Sequence, residues 1–184
     1  MKKFWIILLV IVVVLGGYLW LTYNGLVTKN ETIEGQWAQV ETQYQRRFDL
    51  IPNLVASVKG VLTQEQTIFT ALAEARTRYA GAQTVDQKAA AASQVEAGLG
   101  RLLVVMENYP QLRSVESVTT LMSQLEGTEN RVSVERKRFN DFVREYNLIV
   151  KRFPGSVVAR LAGFAERAYF EAATGAEAVP QVEL

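Results

Sequence analysis

Arg46-Arg47-Phe48-Asp49-Leu50-Ile51-Pro52-Asn53-Leu54-Val55 decides how the chain is read, because a proline stands inside a helical pattern. Proline in a helix interior costs roughly 3 kcal/mol through a lost hydrogen bond and a clash with the preceding turn. Around it, the apolar positions Trp37, Val40, Tyr44, Phe48, Ile51, Val55, Val58 and Leu62 recur in steps of three and four and continue through Phe69 and Leu72. One helix face requires that spacing. Phe48 and Ile51 before the proline share their phase with Val55 and Val58 after it. The spacing predicts one long helix from about Glu31 to Tyr79, kinked at Pro52, rather than a hairpin. A fresh helix start with Asp49 as its cap is the alternative.

Toward the N-terminus, Phe4 to Tyr23 carries no charge, and only Lys2 and Lys3 precede it. At 1.5 Å per residue this stretch crosses a hydrocarbon core of ~30 Å. A cleaved signal peptide would have a shorter apolar core and a small-x-small site after it. Here the apolar run continues past Gly16-Gly17 into Leu19, Trp20 and Leu21. A retained anchor, in contact with the lipid bilayer through residues 4–23, is the expectation. Trp5, Tyr18, Trp20 and Tyr23 are the expected interface anchors, since amphipathic rings settle at the headgroup level. Lys2 and Lys3 outweigh Lys29 with its neighbours Glu31 and Glu34, which favours a cytoplasmic N-terminus and an extracytoplasmic domain.

The 184 residues hold 20 basic and 19 acidic side chains, no cysteine and no histidine. A balanced charge gives no electrostatic case for nucleic acid. Without cysteine, disulfides and a lipoprotein acylation site are excluded. Without histidine, the commonest general base and metal ligand are missing. There is no Walker loop, dinucleotide fingerprint or Ser-x-x-Lys motif. The residues therefore predict no enzyme, no cofactor, no metal and no small-molecule substrate.

Beyond Ala80–Gln83, Thr84-x-x-Gln87 has capping-box form and opens a helix running to about Asn108, where Tyr109-Pro110 ends it. Gly98 and Gly100 inside it imply either close approach of a neighbouring helix or local flexibility. A third helix follows Ser114 as its cap, with a coiled-coil-like seam of Val118, Leu125, Val132, Phe139, Tyr146 and Phe153. A parallel series runs Met122, Glu129, Arg136, Val143 and Val150. Pro154-Gly155 stops it, and Ser156 can cap a fourth helix with Val157, Leu161, Phe164 and Ala168 inward.

Polar residues on these seams are the candidates for function: Arg46, Arg47, Asp49 and Asn53 around Pro52, and Glu129, Arg136, Asn140 and Asn147 on the third helix. A charge within a helix interface needs a partner or costs several kcal/mol. The two sets are expected to pair with each other and fix helix register, or to meet another subunit.

Those residues also carry a resemblance. Tyr23-Asn24-Gly25-Leu26-Val27, Gln36-Trp37-Ala38-Gln39-Val40, Arg46 to Gly60, Glu107 to Arg113, Thr128-Glu129-Asn130, Tyr146-Asn147, Phe153-Pro154 and Tyr169-Phe170-Glu171-Ala172 occur in order. Together they resemble the LemA family of bacterial membrane proteins over nearly the whole chain. Val134-Glu135 departs from it, standing where small or apolar residues are usual. The resemblance implies an all-α fold: an N-terminal transmembrane helix followed by an antiparallel bundle of long helices. It implies no catalytic residue. Residues 1–28 would be anchor and junction, 29–172 the helical bundle domain and 173–184 a flexible tail. The expected role is a membrane-anchored scaffold or adaptor that assembles on the bacterial inner membrane as a homo-oligomer. The family's link to membrane proteases makes a regulator of such a protease the alternative.

Overall fold

A computed structural model gives the architecture; it describes residues 2–60, 62, 66–113 and 115–170. Six α-helices are present among these residues and no strand: α1 (Lys2–Val58), α2 (Gln66–Gly81), α3 (Val85–Glu107), α4 (Pro110–Arg113), α5 (Glu116–Lys151) and α6 (Gly155–Ala162). The fold is all-α. Ser114 and residues 173–184, for which a cap and a flexible tail are expected, lie outside the described residues.

The chain divides into two compact units, one of Met1–Gln39 with Lys137–Tyr169 and one of Val40–Arg136 with Phe170–Leu184. In the first unit α1 and α5 run antiparallel. Trp37 meets Phe139 edge-on at 5.4 Å, and Lys29 bonds Glu145 at 2.9 Å. Leu26, Ile33, Val143 and Tyr146 complete its core. Residues 164–169 return without regular structure and are tied down side chain by side chain. Tyr146 donates to the Ala165 carbonyl, Asn147 bonds both the N–H and the C=O of Arg167, and Arg167 reaches Asn30 and Glu34.

In the second unit α1 passes through Pro52 unbroken, and Pro52 itself is exposed. The predicted long helix nevertheless ends early. A continuous helix would hold residues 48 and 79 roughly 46 Å apart, yet the rings of Phe48 and Tyr79 lie 4.6 Å apart. Arg76 also lies 3.9 Å from Asp49. The chain has doubled back, so α1 and α2 form the hairpin that the spacing argued against. Both arms bury the same kind of face, and periodicity carries no sign of direction. The overlooked signal was Gly60, which weakens a helix by about 1 kcal/mol.

Thr84 caps α3 by accepting from the Gln87 N–H, while Gln87 returns a bond to the N–H of Gln83 rather than Thr84. A Cβ on Gly98 would stand 2.7 Å from Leu72 Cδ2, so glycine lets α2 approach α3 there; a Cβ on Gly100 would meet nothing.

The end of α5 differs from the predicted seam. Val118, Leu125, Val132, Phe139 and Tyr146 are buried, but Phe153 lies past the helix end and is 83% exposed. In α6 the buried residues are Gly155, Val158 and Ala159, while Val157 and Leu161 are exposed; the helix ends at Ala162, so Phe164, half-buried, and Ala168, exposed, lie beyond it. Pro154 occupies the N-cap, and Ser156 lies inside the helix. Small residues form the inner side because the turn brings α6 hard against α5: a Cβ on Gly155 would stand 2.7 Å from the Ile149 carbonyl oxygen.

Candidate functional site

Four charged side chains stand on core stripes of three helices in the second unit. Arg47 falls between Tyr44 and Ile51 on α1, Glu96 between Ala92 and Leu99 on α3, and Glu129 and Arg136 flank Val132 on α5. Each position follows from helical spacing, which puts residues three and four apart on one side. The folded helices bring all four together.

Arg47 is buried and pairs with Glu129; its Nη1 is 3.7 Å from Glu96 Oε1. Arg136 Nη1 donates to the same Glu96 oxygen at 3.4 Å, and the Tyr44 hydroxyl donates to it at 3.3 Å. Arg136 also lies over the Phe170 ring, 4.1 Å from its centre, where a guanidinium is attracted by the ring's electron-rich face. Tyr44 stacks on Phe48 at 5.7 Å. Two arginines against two glutamates leave the cluster neutral. Burial pushes the Glu96 carboxyl above its usual range, against the opposing pull of Arg136 and Arg47. Burial, then the nearby Glu96 charge, raise the Tyr44 hydroxyl. Arg47 Nε is buried with no hydrogen-bond partner among the described residues.

The other predicted residues are placed differently. Arg46 and Asn53 are exposed, and Asp49 is exposed with Gln45 and Arg76 for neighbours. Asn140 and Asn147 belong to the first unit, where Asn147 serves the Arg167 backbone instead of the residues around Pro52. Trp5, Tyr18, Trp20 and Tyr23 are all exposed on α1, and the Tyr23 ring lies 5.8 Å from that of Phe164. Glu96, Tyr44 and Phe170 were missed. Glu96 could have been found, because it is a charge on the apolar stripe of α3. Phe170 could not, because it follows no helical period.

The cluster can hold three helices in register, since a slip of one turn, 5.4 Å, would strand every charge. Among the described residues, no group of three or more acidic side chains could hold a metal. Arg47 and Glu129 also wall a groove of about 330 Å³ with Leu99, Leu103, Met122 and Leu125. Leu103 and Met122 continue into a second hollow of about 420 Å³ lined by Met106 and Val118.

The profile of the LemA family matches residues 36–184, a stretch that contains the whole cluster. The chain belongs to the LemA family. This LemA protein is also similar to magnetosome protein MamQ 2 of Paramagnetospirillum magneticum, 26% identical over 175 residues, covering 81% of this chain. Magnetosome protein MamQ of Magnetospirillum gryphiswaldense is 25% identical over 174 residues, 80% of this chain. The chain spans 64% of the length of these curated relatives.

Proposed function

We propose that this LemA protein is a single-pass scaffold or adaptor of the bacterial inner membrane that assembles as a homo-oligomer. One observation carries the reading: α1 has two unlike parts. From Phe4 to Leu21 its large apolar side chains are exposed; from Leu26 to Val58 its apolar side chains form core. An apolar surface of that extent needs a cover, and its length matches a bilayer. Lys2 and Lys3 ahead of it favour a domain outside the cytoplasm. The groove containing Leu103 and Met122 supplies an apolar surface for assembly, while the adjoining charges are already matched within the chain.

Native mass measurement of the full chain purified in detergent tests this. A defined oligomer is expected. A lone monomer sinks the scaffold, and a stoichiometric protease partner replaces it with a regulator. A single cysteine at exposed Ser133, in a chain without native cysteine, should react with an impermeant reagent added to intact spheroplasts; protection would reverse the orientation.

A further inference from the structure

The exposed apolar residues around α6 have a definite place relative to the apolar stretch of α1. Lys29 bonds Glu145, and the two helices are antiparallel. Six residues back along α1 lies Tyr23, and six forward along α5 lies Lys151. Both steps cover about 9 Å in the same direction. The end of α5 is therefore level with the end of the apolar stretch. The returning chain gives the same level independently, because Phe164 rests on Tyr23. Arg167, three residues later, has already moved away to Asn30 and Glu34. The segment from Arg152 to Gly163, α6 included, is bracketed at that level by both contacts.

Its composition suits the position. Phe153, Val157 and Leu161 are four residues apart and exposed by 83%, 47% and 78%, while Gly155, Val158 and Ala159 face inward. Between Leu148 and Ala165 the chain carries Lys151, Arg152 and Arg160 and no carboxylate. Lys151 is engaged by Glu166, whereas Arg152 and Arg160 are exposed. An apolar face with cations beside it is the pattern of a helix lying in the membrane interface. Eight residues would bind a bilayer weakly alone, but a neighbouring span holds them at high effective concentration.

We propose that α6 and the turn before it form a second membrane contact. Phe153, Val157 and Leu161 seat at the boundary between headgroups and acyl chains, and Arg152 and Arg160 face anionic lipid headgroups. The contact fixes how the first unit stands on the bilayer. It rests on the reading of residues 4–23 as a span.

The test uses the full chain in vesicles of phosphatidylcholine and phosphatidylglycerol. Single cysteines replace Leu161, Phe153, Leu15 and Ser133 in turn, each carrying a nitroxide. Collisions with oxygen, which partitions into lipid, are compared with collisions with a water-soluble nickel chelate. Labels at Leu161 and Phe153 should favour oxygen, at a depth of about 5–10 Å. Leu15 should read deeper, and Ser133 should favour nickel. Nickel-favoured labels at Leu161 and Phe153 with a deep Leu15 overturn the second contact and leave the anchor standing. A nickel-favoured Leu15 overturns the anchor as well. Spin–spin broadening at Leu161 that disappears on dilution with unlabelled protein assigns the face to a second copy and overturns the lipid contact. Depth at Leu161 should increase when phosphatidylglycerol is added to phosphatidylcholine; an unchanged depth removes the two arginines from the contact.

Discussion

Replacing Arg47 by methionine keeps most of the side chain's volume and removes its charge. Arg47 has 8% of its side chain exposed and stands 3.7 Å from Glu96. At an effective dielectric of about 20, that separation corresponds to an attraction of about 4 kcal/mol. Much of it is offset by the cost of taking the guanidinium out of water. The carboxylates are wetter, 27% exposed for Glu96 and 44% for Glu129, which screens the pair further. The net loss in Arg47→Met is about 2 kcal/mol. For a chain of this size the midpoint should fall by about 4–8 °C. Thermal and urea unfolding of the full chain in detergent, followed by helical circular dichroism, measures it. The double variant with Glu129→Gln should cost about 1 kcal/mol less than the sum of the single changes, because both remove one interaction. A change under about 0.5 kcal/mol, or strict additivity, would refute the claim that the cluster locks the helices.

Three further outcomes follow from the same geometry. The folded-state pKa of Glu96 is raised, mainly by burial, so the folded state keeps the proton longer than the unfolded one. Stability should therefore fall as pH rises through the window just above the ordinary glutamate value, then level off; Glu96→Gln should flatten that slope in unfolding midpoints, and an unchanged slope counts against it. Gly98→Val should cost about 2 kcal/mol by forcing Leu72 aside, whereas Gly100→Ala should stabilise by up to about 1 kcal/mol; equal effects in urea unfolding would remove the close approach as the reason for Gly98. Asn147→Leu should cost about 1–3 kcal/mol by orphaning the Arg167 N–H and C=O, read as faster amide exchange at Arg167; unchanged exchange would show the bonds to be dispensable.

Helix existence was legible in the sequence because it depends on local spacing, and α1 crosses Pro52 as its phase required. Direction was not legible. Val58 and Leu72 share a phase whether the chain runs on or turns back, so shared phase argued for one helix where the chain forms a hairpin. The same limit hides the outward face of α6: steps of three and four mark Val157 and Leu161 as a core face, yet Gly155, Val158 and Ala159 make the contact. Three of the four charges in the cluster were legible: Arg47, Glu129 and Arg136 break apolar stripes. Glu96 breaks one too, but the small residues around it made the α3 stripe faint. Phe170 completes the cluster from a segment without period, where no spacing argument reaches.

The Asn147 clamp bears on where the folded chain opens first. One carboxamide binds both backbone polar groups of a single residue, as a neighbouring strand would. Aspartate in its place would accept but could not donate. Asn30, Glu34, Tyr146 and Asn147 all belong to helices that precede residues 164–167 in the chain. The strap therefore draws its bonds from both α1 and α5, and it has no helix of its own to hold it once released. A protease should cut between Phe164 and Arg167 before it cuts either helix, with Asn147→Leu hastening that first cut. A copy clipped there would lose the tie between α1 and α5 that Arg167 makes while its helices were still intact.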